Sequence, residues 1–392
     1  MPLGLYISVP FCRSKCSYCN FASDVFSRAV FEKYVDRLCA EVADSGKTAQ
    51  QMGALFDPAV DSIYFGGGTP TLLDVAQLER VFVTMRQNFK VQPDAEVTVE
   101  CAPGTLSDET VRALVRCSVN RVSLGVQSFV DQEAASVARL HNRATVFEDV
   151  ARLRSAGITD INVDLIAGLP HQTLASWGAS LNDLISLDVP HASVYMLEVD
   201  EDSRLGRELL AGGQRYHAHF VPDEDLTADL YEMACGRLNS AGICQYEISN
   251  FASSGSESKH NLKYWTRQPY LGFGVDAHSM LYMSGSAAVR FSNPDSLDQY
   301  ITGAPKLKTP VSSDNGIEEA YFLGLRLNRG VRSDELVAEF GSTAVDAHSG
   351  AIRELVNAGL LEEEGNLIRL TSRGRLLSND VFERFLRANF AV

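Results

Sequence analysis

Positive charge is what this chain is short of. Across 392 residues, 35 Lys and Arg stand against 50 Asp and Glu, a formal net charge of −15. A nucleic-acid partner needs clustered cations for its phosphates, so this balance argues against one. No apolar run approaches the roughly 18 residues needed to span a membrane. The opening MPLGLYISVPFC has no basic segment leading into a long apolar one, so no secretory leader is expected and the protein is placed in the cytoplasm. Internal repeats and low-complexity tracts are missing too. Cysteine is present but unevenly spread. Cys12, Cys16 and Cys19 are bunched, whereas Cys39, Cys101, Cys117, Cys235 and Cys244 lie apart in apolar stretches, as buried thiols do rather than members of a disulfide framework.

With 45% apolar residues, the chain is long enough for one large domain with smaller additions. Up to about residue 200, β-rich runs at 5–9, 62–65, 96–99, 121–126, 161–166 and 192–196 alternate with helical patterns such as 31–42, 75–85 and 146–155. That alternation predicts an α/β fold of βα units around a parallel sheet. Six units rather than eight predict a partial, open barrel with a lateral mouth. Polar or glycine-rich residues follow the strands, and the carboxyl ends of barrel strands gather on one face, where ligands bind. From about residue 317 a second pattern predicts helices at 318–327, 333–340 and 344–358 and a short hairpin at 367–371. This reads as a C-terminal α+β winged-helix-like domain, and its weak positive charge favours packing or partner docking over DNA binding.

Cys12-x-x-x-Cys16-x-x-Cys19 offers three thiolates from one loop, the ligand type that suits an iron–sulfur cluster. A cubane held this way keeps one iron without a protein ligand, open to the amino and carboxylate groups of S-adenosylmethionine (SAM). A structural zinc site would want a fourth Cys or His nearby, and Phe21 stands there instead. Gly66-Gly67-Gly68-Thr69-Pro70 ends an apolar strand, where glycines permit close backbone approach to a ligand but also make an ordinary tight turn. Glu100, Gln127 and Asp164 end further strands and can accept hydrogen bonds from hydroxyl or ammonium groups, while Arg139 can pair with a carboxylate.

CRSKCSYCNF, IYFGGGTPT, VSLGVQSF, INVDLIAGLP, YEISNFA and HNLKYW together resemble, over nearly the whole chain, the radical SAM subgroup that includes oxygen-independent coproporphyrinogen III oxidase. Within it the chain is most similar to HemW-type heme chaperones. The resemblance implies a partial (β/α)6 radical SAM barrel over 1–235, an HNxxYW-containing segment completing the core over 236–310, and the winged-helix-like domain over 311–392. It implies a 4Fe-4S cluster on Cys12, Cys16 and Cys19, with SAM contacts at Tyr6, Gly67 and Glu100. Tyr18, Gly68, Thr69, Gln127, Arg139 and Asp164 match positions that the oxidase uses for SAM, including a second molecule.

Two departures separate the chain from the oxidase: Phe21 replaces a further cysteine, and 11 residues precede Cys12 where the oxidase has a longer extension. Both count against coproporphyrinogen III oxidase activity. On residues alone, a structural histidine among core aromatics is the favoured reading of HNLKYW; with the resemblance, the segment supports heme handling instead, through His260 as axial ligand and the Tyr264 and Trp265 faces as packing surfaces. Asp276 stands where family members usually carry Gly, a departure that bears on the local backbone. The expected function is heme chaperoning, with heme, the cluster and SAM as cofactors, heme-receiving respiratory proteins at the membrane as partners, and a homodimer as a possible assembly. Porphyrinogen decarboxylation and radical SAM methyl transfer are the alternatives, and whether SAM is cleaved stays open.

Overall fold

The computed structural model describes residues 1–284 and 287–386; residues 387–392 of the expected C-terminal domain lie outside that range. All six expected strands form: β1 (Leu3–Val9), β2 (Ala59–Gly67), β3 (Lys90–Cys101), β4 (Arg121–Gln127), β5 (Asp160–Ala167) and β6 (His191–Met196). They lie side by side in chain order and run parallel. The segment after residue 236 extends both edges of this sheet. Beyond β6 come the short antiparallel strands β7 (Cys244–Gln245) and β8 (Asn250–Ala252). Beside β1 stand β9 (Tyr270–Gly274), which is parallel to it, then β10 (His278–Tyr282), β11 (Ala288–Ser292) and β12 (Leu307–Val311), all antiparallel. Among the described residues the sheet stays open, with β12 and β7 at its edges.

Residue alternation explains which face is which. Leu5, Ile7, Val9, Ile63, Phe65, Val97, Val99, Val122, Leu124, Ile161, Val163 and Leu165 are buried under the helices. The residues between them on the six strands include Tyr6, Ser8, Ser62, Tyr64, Thr98, Glu100, Ser123, Asn162, Asp164 and Ser193. Parallel strands covered on both faces are near-continuously apolar; strict alternation here marks an inner face that lines a polar cavity. Outside the barrel, Asp74 and Gln77 close a capping box on helix Val75–Asn88, and fully buried Trp177 of helix Leu174–Ser186 donates its indole N–H to the Leu230 carbonyl at 2.7 Å.

Among the five scattered cysteines the burial expectation holds in part. Cys101 and Cys117 are buried, Cys39 and Cys235 are half-buried, and Cys244 is exposed on β7, which is an edge strand among the described residues.

The C-terminal segment forms its own core of Ile317, Tyr321, Leu325, Val331, Leu336, Ile352, Leu355, Leu361, Ile368 and Leu370. Helices Ser313–Gly324 and Ser333–Phe340 pack with an antiparallel sheet of β13 (Val331–Arg332), β14 (Leu361–Glu364) and β15 (Leu367–Leu370). The helix expected over 344–358 is two helices, Ser342–Asp346 and Ser349–Asn357. The break falls at buried His348, whose ring packs against Tyr321 and Phe385.

Helix Phe31–Ala43 is tied to the β1-side extension by buried Glu41. Its carboxylate accepts from Gly274 N at 3.1 Å, Asn293 Nδ2 at 2.8 Å and Tyr300 OH at 2.7 Å, and pairs with Lys306. Removing one partner from such a network strands the other charge. Glu41→Ala is therefore expected to destabilise the protein by about 3 kcal/mol, read as a lowered urea midpoint; an unchanged midpoint would refute this account of the network.

Candidate functional site

Each parallel strand releases its chain at the same end of the sheet, and there the cysteine loop and the glycine run meet. The loop leaves β1 through Pro10 and Phe11, and Cys12 N donates to the Asp24 carbonyl at 2.9 Å. From the end of β2, Gly68 N donates to Val9 O and Thr69 N to Phe11 O, both at 2.7 Å. A Cβ on Gly68 would lie 2.6 Å from the Phe11 carbonyl and 2.8 Å from that of Val9, so only glycine lets the two backbones close. Gly67 sits at φ +97, a conformation glycine adopts readily. A Cβ on Gly66 would lie 2.9 Å from Glu100 Oε1. The glycines thus set the cysteine loop against β2.

A cavity of about 990 Å3 opens at this end. Cys12, Cys16, Cys19, Tyr18, Gly67, Gly68, Thr69, Glu100, Gln127, Arg139 and Asp164 all line it. Tyr6 is the exception among the proposed cluster and SAM residues. It faces a neighbouring cavity of about 290 Å3 with Tyr264, Tyr270, Asp276 and His278, and Gly67 and Phe21 line both spaces. Asp276 adopts φ +57, the left-handed region that glycine favours and that Asp enters more readily than most residues; the backbone there keeps a glycine-like shape.

Charge in the large cavity is divided. Burial, with Asp164 nearby, pushes Glu100 up to about 7, against the opposing hydrogen bonds from Tyr64 OH at 2.8 Å and the Gly67 backbone. Burial likewise raises Asp164, which accepts from Ser123 Oγ at 3.0 Å and Asn162 Nδ2 at 2.8 Å. Opposite them, the Arg139 guanidinium bonds the Gly125 carbonyl and lies 3.7 Å from Cys16 Sγ, while its Nε is buried without a partner. Two buried carboxyls and one arginine with a donor to spare suit a zwitterionic amino acid: ammonium on the acids, carboxylate on Arg139.

Burial also raises the Cys12 and Cys19 thiols, so thiolates here need a cationic centre to stabilise them. Among the described residues no three His, Cys, Asp or Glu side chains gather where one metal ion could hold them. The three cysteines instead share a cavity wall, and a polynuclear cluster, which offers each thiolate its own iron, suits that looser arrangement.

The HNLKYW segment forms helix Lys259–Trp265, whose first N–H groups meet the Glu96 carboxylate: Lys259 N at 2.9 Å and His260 N at 3.0 Å. His260 hydrogen-bonds through both ring nitrogens. Its ring is buried, Nδ1 is bonded to Ser62 Oγ at 3.0 Å and Nε2 to Tyr264 OH at 2.8 Å. Burial, with Lys263 adding to it, lowers its pKa to about 3, so the ring is neutral. Trp265 lies under the Arg326 guanidinium, 4.3 Å away. Of the motif, Asn261 lines the large cavity and Tyr264 the small one.

Sequence reasoning passed over the inner-face network. Asn162 joins Ser123, Ser193 and His191, whose other nitrogen meets Tyr246 OH at 2.9 Å. The period-two polarity of β4, β5 and β6 was the available signal. YEISNFA serves as a seam: Ile248 N donates to Arg326 O at 3.2 Å and Asn328 N to Tyr246 O at 2.9 Å, joining the barrel to the C-terminal core.

Known proteins match this architecture. The radical SAM superfamily matches residues 6–184 and the HemN C-terminal domain residues 311–377. Heme chaperone HemW of Bacillus subtilis is 36% identical over 389 residues, 97% of this chain and 98% of that protein. The Escherichia coli HemW is 29% identical over 387 residues, 98% of both. The solved coproporphyrinogen III oxidase HemN of Escherichia coli shares the fold with a TM-score of 0.83 at 24% identity, over 98% of this chain and 90% of that one. No helix among the described residues is long and apolar enough to cross a membrane.

The acid pair generates a pH prediction. Because Glu100 holds its proton to about pH 7 when folded, against an ordinary 4.5, the folded state binds more protons in that window and stability falls as pH rises through it. Glu100→Gln should remove that fall, leaving the variant about 2–3 kcal/mol more stable than wild type above pH 7, as measured by denaturation at pH 5 and pH 8. Equal pH slopes in the two proteins would contradict the buried-acid assignment.

Proposed function

The chain belongs to the radical SAM superfamily and, within it, to the family of heme chaperone HemW, and on that premise we propose that it is itself a heme chaperone. The observation that carries this reading is end-to-end similarity to HemW proteins, in a chain whose cysteine triplet, glycine run and acid–arginine pair line one cavity.

Cys12, Cys16 and Cys19 would hold three irons of a 4Fe-4S cluster and leave the fourth for the amino and carboxylate groups of SAM. The Gly67 backbone and Glu100 would take the ammonium, Arg139 the carboxylate, and Gln127 and Asp164 the ribose hydroxyls. Tyr18, Gly68 and Thr69 would shape the remaining wall, and Tyr6 would reach SAM from the neighbouring pocket past Gly67. When bound, cluster and SAM would supply electron transfer and a SAM-dependent signal by which a chaperone would time heme release. The chain's own residues orient the ligand: Arg139 restrains Cys16 and Gly125 together, and the Asn162 network holds Asp164 in place. The reading places the protein in the cytoplasm, with respiratory heme proteins at the membrane as recipients and a homodimer as its assembly. It keeps the division at 1–235, 236–310 and 311–392.

Two measurements test it. Cys16→Ala should abolish bound iron after anaerobic reconstitution while Cys235→Ala keeps it; full iron in Cys16→Ala would overturn the cluster ligands. Hemin titrated into the reconstituted full chain should give saturable Soret absorbance, with no porphyrinogen conversion when SAM and a reductant are added. Conversion without saturable heme binding would replace the chaperone by the oxidase.

A further inference from the structure

Besides His260, whose ring nitrogens meet Ser62 and Tyr264, the fold gathers a second group of imidazoles. The loop after β5 and the turn Arg215–Phe220 bring three histidines together: His171, His217 and His219. His171 Nε2 and His217 Nδ1 are 3.0 Å apart and share a hydrogen bond. Among the described residues no hydrogen bond engages His217 Nε2, and His217 is exposed. His171 and His219 both rest on the Phe220 ring, each with a centroid separation of 4.0 Å.

Three features suit this patch to a porphyrin. A ligating imidazole generally has its second nitrogen hydrogen-bonded, which fixes tautomer and ring orientation, and His217 has that arrangement ready-made with His171 as partner. Around the pair, Leu210 is 70% exposed, Phe220 47% and Tyr216 38%, apolar surface for a macrocycle face. Exposed Arg204, Arg207 and Arg215 flank it, with the Arg204 guanidinium 5.9 Å from the Tyr216 ring, the charge that propionates require. His171, Tyr216 and His217 all hold left-handed backbone at φ +70, +55 and +59, a strained conformation that clusters at functional sites.

The patch also connects to the cysteine loop. Helix Arg204–Leu210 leads into it, and that helix is pinned to the loop by Leu205 N to Ser17 O at 2.8 Å and Arg204 to Lys15 O. A change in the cluster loop therefore has one short helix to cross.

We propose that heme docks on this patch, with His217 Nε2 as an axial ligand of the iron and His171 as the positioning residue that orients it. The proposal rests on the heme-chaperone reading and assigns that heme its place.

The test is hemin titration into the reconstituted full-length protein, with cluster absorbance as the control for folding. His217→Ala should weaken binding by more than about tenfold, and His171→Ala by a smaller factor with a shifted Soret band. His217→Tyr should retain heme while exchanging the imidazole spectrum for that of a phenolate-ligated iron. Wild-type affinity in His217→Ala, or an unaltered spectrum in His217→Tyr, would overturn the site and leave the chaperone reading standing. Absence of saturable binding by wild type would remove both.

Discussion

The arrangement depends first on the meeting of two backbones at the end of β1 and β2. Gly68 N to Val9 O and Thr69 N to Phe11 O carry the parallel register past the end of the strands and into the cysteine loop. The contact tolerates no side chain on Gly68, because two carbonyl oxygens fill the space a Cβ would need. A loop that carries three cysteines gains its fixed orientation from this strand extension, since three side chains in one short peptide do not by themselves define a direction. Arg139, wedged against Cys16 and the Gly125 carbonyl, closes the loop from the other side.

Around that contact the barrel is a polar-lined vessel with an apolar coat. The coat is helix-packed in the usual way, and the lining is a hydrogen-bonded lattice of serine, asparagine, histidine and acid side chains in which few groups are left unsatisfied. Such a lattice restrains Asp164 while keeping it buried, so a charged ligand meets groups already oriented. The two motifs that distinguish the segment 236–310 are joined to this design by backbone and packing. HNLKYW docks its helix N-terminus on Glu96, and YEISNFA threads between the sheet and the C-terminal core. The Arg326 guanidinium over the Trp265 ring carries the seam on to the HNLKYW helix.

How much was legible follows from the range of the interactions involved. The six strands of the parallel core, the cysteine triplet and the glycine run are local patterns, and the structure has each where the pattern put it. The extension of the sheet by β7 to β12 was not legible, because short strands with one or two pairing partners carry weak periodicity and are defined by the edges they join. The break at His348 was missed because helix periodicity continues through it while the ring is drawn into a core that forms only on folding. Tyr6 faced the same difficulty: its strand position was clear, but which of two adjoining cavities it lines is decided only when the strands and loops come together.

Spacing along the chain therefore determined the fold class, the grouping of thiolates and the choice of polar residues at strand ends, since each depends on bonds between neighbours or on a repeat of two or 3.6 residues. Tertiary structure alone decided what each imidazole meets. His260 is hydrogen-bonded to a hydroxyl 198 positions away and to a tyrosine one turn along its own helix. His171 and His217, 46 positions apart, become a pair only when two loops cross at the surface. Availability of a nitrogen is a property of what surrounds it in space, and nothing in the residue itself records it.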